Sequence, residues 1–421
     1  MGVLSMPFSF RKQGCLNFGI VAVAAVLLVR TSQLFYSATE LATPIALLNN
    51  VAPRHQDWAF LAGLGCGHSG RVAVRVVLIS SLTSYIVAFL SALGSLIHDV
   101  IPKCSVPFGI ALSTGLAVAL TRLPTKSLGR LSLLAHSSYF VAFACLVVTG
   151  WGNFAVKDRP SLVEFFKQRA DEVQLDQPQI SGIPTTFYLF GFSNAGTSVL
   201  PSVLSNMQKR EQFSRVLCAS YSIAVSVYFF VGLGGFVLFG GNTAQLFTAN
   251  LGTNMWTGAD LEGFKFLKPL ASAMVICKLE LCIPVLAYPV FADVKNMLEQ
   301  QPATCSLVSG KRALLRHVWR AYLLAAMGLV AAMFGDKVAV LVSMVGALFG
   351  TPLICFMPVF VYVGISRRIG KRLHIMKCME LIAIVTLGCV LGCFAIADCW
   401  RQLNLEGTAR LAGRHTLKPR L

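Results

Sequence analysis

The feature that most constrains this chain is repetition of apolar stretches long enough, or nearly so, to cross a bilayer. A spanning helix needs about 20 mainly apolar residues. Runs of that kind fall near 17–42, 72–97, 107–121, 131–151, 183–206, 214–239, 266–292, 317–334, 338–365 and 376–397. Inside lipid every backbone amide and carbonyl must find its partner within the segment, so such runs predict helices, and the chain reads as an all-α integral membrane protein. Charge supports this: only 13% of residues are charged, against about 25% in soluble domains. Thirteen cysteines lie mostly inside the apolar runs, where cysteine behaves as a small hydrophobe. Cys389 and Cys393, one turn apart, are expected to be plain packing residues.

The apolar stretch at 2–10 is too short to cross. It reads as the second half of a span whose first half is missing, which makes eleven spans with the first truncated. The net charge of +18 tests this count. Basic residues crowd the loops after even-numbered spans, for example Arg71, Arg75, Lys209, Arg210, Lys311, Arg312, Arg367, Arg368, Lys371 and Arg372. The opposite loops hold about half as many, mixed with Asp158, Glu164, Asp171 and Glu172. The positive-inside rule then predicts a cytosolic start, although it leaves the basic 398–421 tail on the other side. The positive charge marks loops, so no nucleic-acid partner is expected. No cleavable signal peptide is visible at the N-terminus.

Two spans carry a matching irregularity. Span one contains Gly2-Val3-Leu4-Ser5-Met6-Pro7, and span six contains Ser193-Asn194-Ala195-Gly196-Thr197-Ser198-Val199-Leu200-Pro201. Each places small or polar residues before a proline, which removes a helix donor and clashes with the preceding turn. Such a break is tolerated in a membrane only where it is walled by protein or lines a cavity. Spans one and six are corresponding members of two five-span halves, 1–151 and 182–365, and an odd number of spans inverts the second half. Paired interruptions of this kind point to a midplane site for a small solute. Free amides at a half-helix N-terminus suit a carboxylate, and free carbonyls suit an ammonium or another cation. Gly2, Val3, Leu4, Ser5, Met6, Ser193, Asn194, Ala195, Gly196 and Thr197 are therefore the candidate substrate contacts. The span at 376–397 is an addition outside the repeat.

Around these residues the chain resembles the amino acid/auxin permease family, and within it the vacuolar and vesicular amino-acid transporters. The resemblance rests on GVLSMPFSFRKQG at 2–14, LPTKSLGRLSLL at 123–134, Pro201 through Phe239 with FSR at 213–215 and FVLFG at 236–240, and Lys278 followed by Pro284. It implies a LeuT-type 5+5 inverted repeat within the amino acid-polyamine-organocation superfamily. It also implies transport of amino acids, commonly coupled to protons, in a vacuolar, lysosomal or vesicular membrane rather than the plasma membrane. The family's vacuolar members typically read S-G-H-A-V-F-P in span six, whereas this chain has the longer SNAGTSVLP and no histidine there.

Lys278 and Glu280 fall inside span eight. Ionisable groups at that depth usually face the bundle interior, and at about 100° per residue these two point to opposite sides of one helix. Lys278 and Glu280 are the candidate ion- or proton-coupling residues. Lys278 is expected near the carbonyls around Gly2–Leu4, where its protonation would couple transport to a proton, and Glu280 on the other side, with Arg30 of span two as its candidate partner. Tyr85 reads as a packed tyrosine, and Gly346/Gly350 and Gly388/Gly392 as close-packing pairs. Alternatives are a sodium-coupled symporter and a non-transporting amino-acid sensor. No G-x-S-x-G, H-E-x-x-H or paired-histidine pattern points to an enzyme, and no cofactor or metal is expected.

Overall fold

The computed structural model describes residues 2–14, 16–52, 56–123, 125–155, 183–193, 196–299, 309–335 and 338–416, with isolated positions between 161 and 167. These are almost entirely helical. In chain order the helices are α1 (Gly2–Gln13), α2 (Leu16–Leu48), α3 (Trp58–Val100), α4 (Val106–Leu120), α5 (Thr125–Ala155), α6 (Ile183–Ser193), α7 (Leu200–Asn206), α8 (Phe213–Phe239), α9 (Leu267–Glu299), α10 (Ser309–Phe334), α11 (Val338–Val345), α12 (Met357–Arg368) and α13 (Ile375–Thr416). Among the described residues, seven helical stretches are long and apolar enough to cross a membrane on their own. The apolar stretches of α4 and of α5 (Val106–Leu120 and Phe140–Phe154) are shorter, and span six is split into α6 and α7. Cys389 and Cys393 do not pack as expected but lie exposed on α13, because an apolar thiol is at home on a lipid-facing surface.

The chain forms two compact units, each discontinuous in sequence. One comprises Met1–Gly14, Leu78–Gln177 and Val227–Leu341; the other comprises Cys15–Val77, Pro178–Ser226 and Val342–Leu421. Each unit thus draws segments from both sequence halves.

In the first unit α9 packs on α5 and α4, and α10 packs on α4. Small residues allow these approaches, as expected where lipid offers no hydrophobic drive between helices. A Cβ on Gly328 of α10 would lie 2.5 Å from the Thr114 hydroxyl of α4, and one on Gly109 of α4 would lie 3.1 Å from the Gly94 carbonyl of α3. The connection after α8 is irregular, so its backbone groups need side-chain partners. The end of α5 supplies them. Asn153 donates to the Thr253 carbonyl at 3.0 Å and accepts from the Met255 amide at 2.8 Å, and the Thr149 hydroxyl accepts from the Gly252 amide at 3.1 Å.

In the second unit α2 packs on α12 and α6, and α13 packs on α6. The start of α3 meets α12 where Gly65 faces Gly364, and Arg368 donates to the Leu64 carbonyl at 2.6 Å. Shortly after that contact α3 kinks at Gly67, whose φ of 73° a side chain would strain.

Candidate functional site

α1 runs without interruption from Gly2 to Gln13, with Pro7 inside it. The irregularity expected over Gly2–Met6 is thus helical backbone. Pro7 costs the helix one bond, because residue 7 has no N–H to give the Val3 carbonyl. The ring has a seat: Gly235 of α8 faces it so closely that a Cβ there would lie 2.6 Å from Pro7 Cγ. One turn earlier Gly232 faces Phe10 and Met6. Leu4, Met6 and Phe10 are fully buried, so Leu4 and Met6 are packing residues in this unit. What α1 has to offer a solute is backbone: the carbonyl of Val3, which Pro7 leaves without an intrahelical donor. Arg11 secures the other end of α1 by donating to the Thr243 carbonyl at 3.0 Å.

Span six is interrupted. α6 ends at Ser193, a 3₁₀ turn occupies Gly196–Val199, and α7 begins at Leu200 with Pro201 in its first turn. Asn194 and Ala195 lie outside the described residues. Thr197 is fully buried, and its carbonyl accepts a 2.8 Å hydrogen bond from the indole N–H of Trp58. Trp58 is itself buried and packs on Phe35, ring centroids 4.4 Å apart. The Thr197 hydroxyl is buried without a hydrogen-bond partner among the described residues. A buried donor left open in this way is expensive unless a bound molecule completes it.

Lys278 and Glu280 are both buried on α9, at 6% and 3% exposure. They do not meet, as the helical spacing requires. Cys282 follows Lys278 one helical turn on. Glu280 faces Ser113 of α4, and Glu280 Oε2 and the Ser113 hydroxyl are each buried without a hydrogen-bond partner among the described residues. Arg30 donates to Gln33 of its own helix at 3.3 Å. α1 and α9 share a neighbour, since both pack against the 3₁₀ turn Phe247–Asn250. Tyr85 is buried, in keeping with a packed residue.

Sequence reasoning missed a polar junction in the second unit. Span ten is α-helical at both ends, but π-helical over Gly346–Gly350 and Pro352–Phe356, on either side of Thr351. Such segments favour functional positions in helices. The Thr351 hydroxyl donates to the Tyr188 hydroxyl at 2.5 Å, and Tyr188 donates to the Gly388 carbonyl at 3.3 Å. This one knot ties α6, span ten and α13 together. Gly346 admits Tyr188, while Gly388 and Gly392 admit Thr351. The paired glycines signalled close packing; nothing in their spacing signalled a π-helix or its tyrosine.

These features define a class: a multi-pass α-helical membrane protein with one interrupted span and two buried ionisable groups on another. Residues 1–399 match the family described as transmembrane amino acid transporter protein, and the chain belongs to that family. Among its relatives in Arabidopsis thaliana, Amino acid transporter AVT1B is 27% identical over 60% of this chain and 44% of its own length. Amino acid transporter AVT1D is 22% identical over 93% of this chain and 66% of its own. Amino acid transporter AVT3C is 22% identical over 96% of this chain and 87% of its own. The chain thus spans less than half of the first relative's length and about two thirds of the second's. All three are named as transporters.

Proposed function

We propose that the protein is a secondary active transporter that moves amino acids across a vacuolar, lysosomal or vesicular membrane by alternating access, coupled to protons. In this reading its eleven spans follow the LeuT-type inverted repeat, and its basic loops face the cytosol. The observation that carries the proposal is the interruption at Ser193–Leu200, where a buried hydroxyl and helix-end backbone groups stand inside an otherwise apolar span. A zwitterionic amino acid supplies both complements. Its carboxylate suits amides at a half-helix N-terminus, and its ammonium suits free carbonyls. In this reading the candidate substrate contacts are Gly2, Val3, Leu4, Ser5 and Met6, and Ser193, Asn194, Ala195, Gly196 and Thr197.

Lys278 and Glu280 carry the coupling in this proposal. A buried ionisable side chain in a membrane helix is costly to retain without a task, and α9 carries two of them. Uptake of a labelled amino-acid mixture into proteoliposomes, with and without an imposed pH gradient, tests the reading. Uptake is expected to rise with the gradient and collapse with an uncoupler, and replacement of sodium by choline is expected to leave it unchanged. Lys278→Met and Glu280→Gln are expected to reduce gradient-driven uptake to the level seen without a gradient, while counterflow of unlabelled against labelled substrate persists. Full gradient-driven uptake in both variants would remove the coupling assignment.

A further inference from the structure

A groove of about 460 Å³ lies on the second unit between α2 and α13. Its walls are Ala22, Val23, Val26 and Leu27 on one side and Ala383, Ile384 and Leu387 on the other, with Arg30 and Glu380 as its polar members. Both walls pack on α6, the helix that ends at the interruption of span six.

α12 ends with Arg368 bonded to the carbonyl of Leu64, and Trp58, two turns before it on the same helix, packs on Phe35 of α2. α13 starts after the short 369–374 connection that follows Arg368. It then runs back to place Gly388 and Gly392 beside Thr351. In the proposed span order α2 ends and α13 starts on the same side of the membrane, so the two pass the groove antiparallel. Arg30 and Glu380 mark one end, and Ala22 and Leu387 lie about 12 Å further along the helix axis.

Charge is concentrated at the polar end. Glu380 is neutralised by Lys377 at 2.9 Å, although its Oε1 is buried without a hydrogen-bond partner. Arg30 is exposed, and the one interaction it makes among the described residues is the neutral bond to Gln33. Arg367, Lys371 and Arg372 lie exposed just before α13. An arginine on a lipid-facing surface without a counter-ion is unfavourable, and a basic site between membrane helices beside an apolar channel suits an anionic headgroup with its acyl chain.

We infer that this groove binds an anionic phospholipid of the surrounding bilayer, with one acyl chain laid between α2 and α13 and its headgroup drawn towards the long side chain of Arg30. The inference rests on the chain being a membrane protein and is independent of whether it transports.

The test is thermal unfolding of the detergent-solubilised full chain, titrated separately with phosphatidylglycerol, phosphatidylcholine and inorganic phosphate. Phosphatidylglycerol is expected to stabilise the protein at lower concentration than phosphatidylcholine, and phosphate alone to do nothing. Arg30→Gln, at an exposed position, is expected to weaken the phosphatidylglycerol response about fivefold, the effect of one basic residue at a membrane surface, and to leave the phosphatidylcholine response unchanged. Ala383→Trp fills the channel and is expected to weaken both; Ala383→Leu, a milder filling, is expected to do so in part. Equal responses to the two lipids, or a phosphatidylglycerol response untouched by Arg30→Gln, overturns the headgroup assignment. Responses untouched by either Ala383 variant, or reproduced by phosphate alone, overturn the groove.

Discussion

Two spans carry a proline after a run of small residues, and the fold treats them differently. In α1 the helix continues through Pro7, whereas in span six the helix stops at Ser193 and a new one opens around Pro201. The proline is common to both, so it does not by itself decide the outcome. What differs is the preceding stretch and the surface on which the ring lands. Span six leads in with Asn194, Ala195, Gly196, Thr197, Ser198 and Val199, mostly poor helix formers whose side chains compete for the backbone or restrict it. Pro201 then sits in the first turn of α7, where its fixed φ is suited and its missing N–H costs nothing. Pro7 has Leu4, Ser5 and Met6 before it, and a glycine seat opposite. A proline inside a helix costs about 3 kcal/mol, and tight packing of its ring on Gly235 offsets part of that.

The contrast is open to attack at several points. The largest effect is expected from Gly235→Val, whose side chain enters the space of the Pro7 ring. Overpacking at such a contact costs about 1–3 kcal/mol, read as a lower unfolding temperature with lost uptake. A protein as stable as the parent would show that α1 is not held by this seat. Next comes Trp58→Phe, which keeps the ring against Phe35 but removes the donor to the Thr197 carbonyl. Leaving that buried carbonyl bare costs about 1–3 kcal/mol, and the KM for substrate is expected to rise because the 3₁₀ turn loses its anchor. Tyr188→Phe removes both hydroxyl bonds of the π-helical junction, at about 1 kcal/mol each; it is expected to slow transport with little change in KM. The smallest change in stability is expected from Pro7→Ala. It restores a bond to Val3 while losing ring packing, a net shift under about 1.5 kcal/mol. If the Val3 carbonyl serves the solute, uptake falls although the protein is no less stable.

The sequence alone determined the class of this protein: helices in a membrane, covering the apolar runs although α3 and α13 extend well beyond theirs, and an interruption in span six. The reason is physical, since lipid forces backbone bonds to be local, and local bonds are written in local composition. It also located the two buried charges and their opposite directions, because both follow from helical period. It did not show that Pro7 would be accommodated, that Glu280 would face Ser113, or that Tyr188 and Thr351 would join span ten to α6 and α13. Each of these depends on which residue stands opposite on another helix. That choice is made by small residues whose close approaches span more than a hundred positions, such as Gly235 under Pro7 and Gly346 beside Tyr188. Only the packed chain brings those residues together, and with them the partners that make a glycine or a proline mean one thing in α1 and another in span six.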